Sequence, residues 1–141
     1  MLLISLVNAV LIAIVVTIHY EFLHQFTVIM PRLRIRHRSR IILGVLAALT
    51  AHVTEVMIFG LTYHFMHHGE GWGSLQGNFD GGLGGAIYFS FTAYTTLGLG
   101  DIEPIGDIRF LVGLESLTGF VLITWTASFL YLEMTRYWDS H

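Results

Sequence analysis

Long, sparsely charged apolar runs at residues 2–18, 41–65 and 110–137 dominate this chain of 141 residues, and they restrict its possible folds more than anything else it contains. In hydrocarbon no water satisfies backbone N–H and C=O groups, so a spanning segment must be a helix or a strand of a closed barrel. Runs of this length fit helices. As helices the first would measure about 26 Å, near the lower limit for crossing a bilayer, and the last about 42 Å, enough to cross with tilt. A composition of 54% hydrophobic and 12% charged residues excludes an ordinary soluble domain, and the length suits one unit. The net charge of -3 gives no overall electrostatic case for nucleic acid, and the absence of cysteine removes disulfides and thiolate metal sites. Residues 1–18 have no basic leader and no small-residue cleavage site before His19, Tyr20 and Glu21, so the first run is expected to remain as a mature helix.

That helix is expected over residues 1–30, with residues 2–18 in the membrane and the amphipathic 19–30 at its surface, ending at Pro31. Between Arg32 and Arg40 every second residue is arginine, which puts five of the seven basic residues in the loop 31–40. The positive-inside rule assigns this loop to the cytoplasm, so the N-terminus is expected outside and the C-terminus, past Glu133 and Arg136, inside. Voltage-sensing arginines sit on a membrane helix at spacings of three. These lie in a loop at spacings of two, which argues against a sensor.

Residues 41–141 read as one unit. An outer helix over 41–66 leads to an exposed turret at 67–81, within a stretch (69–85) where eight of 17 residues are glycine. Asp80 is a candidate cap for a short helix at 82–95, whose aromatic face is too brief to span a membrane. Its carbonyl end carries partial negative charge, which favours a cation. The next residues, Thr95-Thr96-Leu97-Gly98-Leu99-Gly100-Asp101, alternate glycine with larger residues. Glycine accepts positive φ, so such a string can turn successive carbonyls to one side of a narrow pore, where they replace the hydration shell of a cation. Thr96 can add its hydroxyl oxygen. A last helix is expected at 108–138.

The string 95–101, following a short aromatic helix and preceding a membrane helix, resembles the signature of the potassium channel superfamily in its small prokaryotic two-helix pore form. The resemblance covers about two thirds of the chain and leaves the first helix as an addition. It implies an all-α membrane fold of outer helix, pore helix, filter (96–101) and inner helix. It further implies a homotetramer around a four-fold axis within the lipid bilayer, in the inner membrane of a bacterium. Potassium would be held by Thr96, Leu97, Gly98 and Leu99, with Gly100 and Asp101 completing the filter, and Thr95, Tyr88, Phe89 and Thr92 supporting it from the pore helix. Gly119 matches the family's gating-hinge glycine, the alternative being that it permits close helix packing. Phe120, Ile123, Ala127 and Tyr131 would face the cavity. The family most often has Tyr or Phe where this chain has Leu99. Leucine keeps the carbonyl but lacks the hydroxyl, so its support must come from Tyr88, Phe89 or a neighbouring subunit. Thr92 stands where some members carry an acid that pairs with the filter aspartate, so Asp101 needs another partner.

His52 and Glu55, three apart in the second run, share a helix face. Ionisable residues within a membrane are functional hypotheses by default. One reading is a transition-metal or proton site completed by His19, Glu21 or His24; the other is a polar pair that docks the first helix. Glu115 is expected to contact the pore-helix layer. His64, His67 and His68 mark the outer border, either as a solvated cluster or as a divalent-cation site. No nucleophile with its base, phosphate-cradling loop or ligand-binding tail is evident, so neither an enzyme nor an organic cofactor nor a further protein partner is expected. Passive potassium conduction is the main functional reading. A weakly selective monovalent cation channel and a His/Glu membrane metalloprotein are the alternatives.

Overall fold

The computed structural model describes residues 2–138, with side chains to residue 136. In chain order it contains α1 (Leu2–Ile29), a 3-10 turn (Met30–Arg32), α2 (His37–His68), β1 (Ser74–Gly77), α3 (Leu83–Tyr94), β2 (Ile102–Ile105) and α4 (Ile108–Trp138). Three segments, Leu2–Arg32, His37–His68 and Ile108–Arg136, are long and apolar enough to cross a membrane. The short α3 lies between the second and third, as a helix of a re-entrant loop must.

The first helix runs on past residue 18 without a break, to Ile29. It buries Asn8, Leu11, Val15, His19, Leu23 and Phe26, spaced three or four apart, so a single stripe continues through the polar second half and packs on α2 and α4. The stripe keeps residues 19–29 helical against their mixed composition. Pro31 then disfavours helical geometry in the residue before it, and the chain tightens into the 3-10 turn. At the other end of the basic segment, α2 begins at His37 with Arg36 as its N-cap. Arg38 and Arg40 therefore lie within the first helical turn, and the loop is shorter than the sequence suggested.

The core sits where α3 is held between α2 and α4. Val56, Phe59 and Tyr63 of α2, Ala86, Phe89 and Tyr94 of α3, and Leu111 and Leu122 of α4 join Leu11 and Val15 of α1 in one buried cluster. Two glycines set how close the helices come. A Cβ on Gly60 would stand 2.8 Å from the Ile87 backbone, and one on Gly119 would strike the Tyr94 carbonyl. Small residues at such crossings let backbones approach, which is how helices associate in a medium as apolar as their own side chains.

The turret contains a strand that the glycine-rich composition hid. β1 pairs antiparallel with β2, in the register Ser74 with Ile105 and Gly77 with Ile102. The Asn78 N–H also donates to the Asp101 carbonyl at 2.8 Å, and Leu75 N–H donates to His67 Nδ1 at 3.1 Å. Apart from this ladder the regular elements of the described residues are helical, and the all-α pore fold stands.

Candidate functional site

Residues 95–101 leave the end of α3 with positive φ at every second position from 96 to 100. Thr96, Gly98 and Gly100 have φ of 58°, 52° and 78°, while Leu97 and Leu99 between them do not take positive φ. A left-handed residue at every second position cancels the alternation of an extended strand and aligns successive carbonyls. Glycine adopts this without penalty. Thr96, β-branched and the one non-glycine residue with positive φ among those described, does so at a cost of about 1–2 kcal/mol. Its strain was not legible in the sequence, where only the glycines signalled left-handed backbone.

Two backbone bonds fold the string back on the helix before it. The Thr96 N–H donates to the Ala93 carbonyl and the Gly98 N–H to the Thr92 carbonyl, both at 3.0 Å. The Thr92 hydroxyl donates to the Phe89 carbonyl at 2.8 Å and the Thr95 hydroxyl to the Phe91 carbonyl at 2.7 Å, so both threonines finish the helix rather than reach the filter side chains. Asp101 finds its partner in Tyr88, which donates its hydroxyl to Asp101 Oδ2 at 3.0 Å. That bond, the largest influence on it, raises the Tyr88 phenol above its ordinary pKa. Tyr88 is thus the partner that Asp101 needs in the absence of an acid at Thr92. Phe89 turns away from the filter and packs edge-on against Tyr63, at 5.2 Å between ring centroids. Leu99 remains 58% exposed in the single chain, so neither Tyr88 nor Phe89 covers it.

The layer behind the filter is polar and buried. Glu115 accepts hydrogen bonds from the hydroxyls of Tyr63 and Ser90, joining α4 to α2 and α3. Ser90 also lies 2.9 Å from the Val56 carbonyl. The sequence pointed to Glu115 but gave no sign of Tyr63 or Ser90, which are 52 and 25 positions away. Asp80 does not occupy the N-cap of α3. That place belongs to Gly82, whose N–H donates to Asp80 Oδ1 at 2.8 Å.

On α4, Phe120, Ile123, Ala127 and Tyr131 are exposed in the single chain. Ile123 and Ala127 line a cleft of about 420 Å³ together with His52, Phe91, Tyr94 and Thr95. Trp125 instead meets the His19 ring of α1, with centroids 5.3 Å apart. His52 and Glu55 are joined by His19, whereas Glu21 and His24 stay exposed on the far side of α1. The His64 and His68 rings, one helical turn apart, meet at a tilt of 52° with centroids at 4.5 Å.

Two membrane-spanning helices, a short helix between them that stops inside the fold, and a left-handed alternation at its end define a membrane protein with a re-entrant pore loop. The protein family described as "Ion channel" matches residues 51–136, more than half of the chain. The chain belongs to this family, with the two-helix pore architecture that its helices display, and it is an integral membrane protein. Comparison with curated proteins and with solved structures returns no match.

Proposed function

We propose that the protein is a homotetrameric potassium channel that conducts passively down the electrochemical gradient. The observation that carries this reading is the positive φ at Thr96, Gly98 and Gly100. One chain offers one such string, and a cage of carbonyls around a dehydrated ion needs several, related by a closed rotational symmetry. Potassium would be held by the carbonyls of Thr96, Leu97, Gly98 and Leu99 and the Thr96 hydroxyl. The bare side chains of Leu97 and Leu99, 65% and 58% exposed, suit contacts with neighbouring copies of the chain. The arginines at 32–40 orient the N-terminus outward in the plasma membrane of a bacterium.

Reversal potentials in liposomes under opposed potassium and sodium gradients test the proposal. Strong preference for potassium is expected, and equal permeation would refute it. Replacing Gly98, whose φ is 52°, with alanine should abolish selective current.

A weakly selective monovalent cation channel is the second reading. It is favoured by Leu99, which has no hydroxyl to anchor and no cover within its own chain.

A further inference from the structure

The most demanding group in the membrane interior is the carboxylate of Glu55. It is fully buried, in the middle of α2, and its ionic partners are two imidazoles rather than a lysine or arginine. His19 Nδ1 lies 2.8 Å from Glu55 Oε1. His52 Nδ1 lies 3.2 Å from Oε2. One ligand atom from each of the three residues falls within 4.8 Å of the others.

Behind the two imidazoles stands one shared hydroxyl. His52 Nε2 is 3.0 Å and His19 Nε2 is 3.2 Å from the same oxygen, Thr126 Oγ1 of α4. A hydroxyl oxygen can accept from both rings, but its single proton can be donated to only one. When Thr126 accepts from both Nε2–H groups, both Nδ1 atoms carry lone pairs, and both lone pairs face the Glu55 carboxylate. In that tautomer three Lewis bases converge on one point in a medium of low dielectric, and a bound cation relieves their repulsion as Nδ1 protons do in the other tautomer. A hydrogen-bond acceptor behind a ring nitrogen, fixing the tautomer and aiming the other nitrogen, is the usual outer shell of a metal-bound histidine.

We propose that His19, His52 and Glu55 bind one divalent transition-metal ion of the zinc, cobalt and nickel class in each chain. Two imidazole nitrogens and a carboxylate oxygen suit these ions and disfavour magnesium, calcium and potassium, which prefer oxygen alone. The Tyr94 hydroxyl, 2.9 Å from His52 Nδ1 and hydrogen-bonded to Glu55, is a further oxygen beside these ligands. His52, with its side chain 16% exposed, is the ligand that reaches an opening, since it lines the cleft between α2, α3 and α4. The ion clamps the added helix α1 to the pore through α2. Because Tyr94 ends the pore helix immediately before the filter, the clamp touches the filter's support.

The full chain, purified in detergent and stripped with chelator, is titrated with zinc chloride and separately with cobalt chloride. One zinc per chain, a raised melting temperature, and visible cobalt bands typical of nitrogen and oxygen ligation are expected. Uptake should be lost in Glu55→Gln and His52→Ala. Thr126→Val keeps all three ligands and should weaken binding by about 10- to 100-fold, which serves as the decisive variant if a ligand substitution prevents folding. A chain with His64, His67 and His68 all changed to alanine should bind as before. Absence of uptake, uptake unchanged in both His52→Ala and Thr126→Val, or uptake lost only with the outer histidines would overturn the proposal. None of these readouts uses ionic current, so they stand apart from the test of conduction.

Discussion

Changing Gly119 to alanine asks whether that glycine is required by packing. An alanine Cβ there would lie 2.9 Å from the Tyr94 carbonyl carbon and 3.0 Å from Tyr94 Cγ, and closer still to the carbonyl oxygen, where ordinary contact begins at 3.4 Å. The pore helix and inner helix must therefore part by at least about 0.5 Å, the difference between 3.4 and 2.9 Å. Overpacking of a tight interior costs about 1–3 kcal/mol. The obstacle here is backbone, which cannot rotate aside, so the upper part of that range is expected. The displaced residue is also the last before Thr95 and Thr96, so the shift enters the filter directly. Thermal unfolding of the purified channel measures the first effect, and potassium against sodium reversal potentials measure the second. Gly113→Ala is the control, because a Cβ at Gly113 meets nothing within 4 Å in the chain and alanine favours helix by up to about 1 kcal/mol over glycine. If Gly119→Ala proves as stable and as selective as Gly113→Ala, the packing argument is wrong and the hinge role implied by the family resemblance is left as the explanation of the glycine.

Three further outcomes follow from the same geometry. Tyr88→Phe removes the hydroxyl that Asp101 accepts and should leave folding intact while lowering selectivity; unchanged reversal potentials would show that this bond does not brace the filter mouth. Leu99→Tyr supplies a hydroxyl at a position now 58% exposed, and the same liposome assay separates the two readings: an unchanged ratio is expected of a filter already selective for potassium, and a sharper preference would favour the weakly selective channel. Glu115→Leu takes away the acceptor of the buried Tyr63 hydroxyl and should cost about 1–3 kcal/mol in unfolding free energy. Glu115→Gln, which retains an acceptor, should lose less, and equal losses would show that packing rather than hydrogen bonding fixes this layer.

The spans and the pore loop were legible because their signals are local. Apolar length marks a crossing helix, and the glycines at 98 and 100 mark backbone of positive φ. What the sequence did not yield depends on residues far apart in the chain. Ser74 and Ile105 pair across the short helix and the filter, and neither short segment alternates strongly enough to declare a strand. Thr96 is left-handed because its neighbours require it, against its own preference. The surroundings of Glu55 came half into view: His52 is three residues away and His19 was one of three candidates to join them, but Tyr94, and Thr126 behind the two imidazoles, belong to two other helices and gave no signal. The helix over residues 1–30 was legible, but the burial of its second half was not, for a related reason. Polar residues at 19–25 suggested an interface, whereas His19 is buried for its bond to Glu55 and Leu23 and Phe26 prolong the apolar stripe.

The ladder between β1 and β2 gives the outer mouth a mechanical property. With Gly77 paired to Ile102 and the Asn78 N–H bound to the Asp101 carbonyl, a tug on the turret travels through main-chain links into residues 96–101 with almost no slack. Gly71, with open space around it, lies before the ladder on the yielding side. Grafted loops or tags should be borne there without disturbing permeation, whereas lengthening the turret at residues 77–78 would unfasten it.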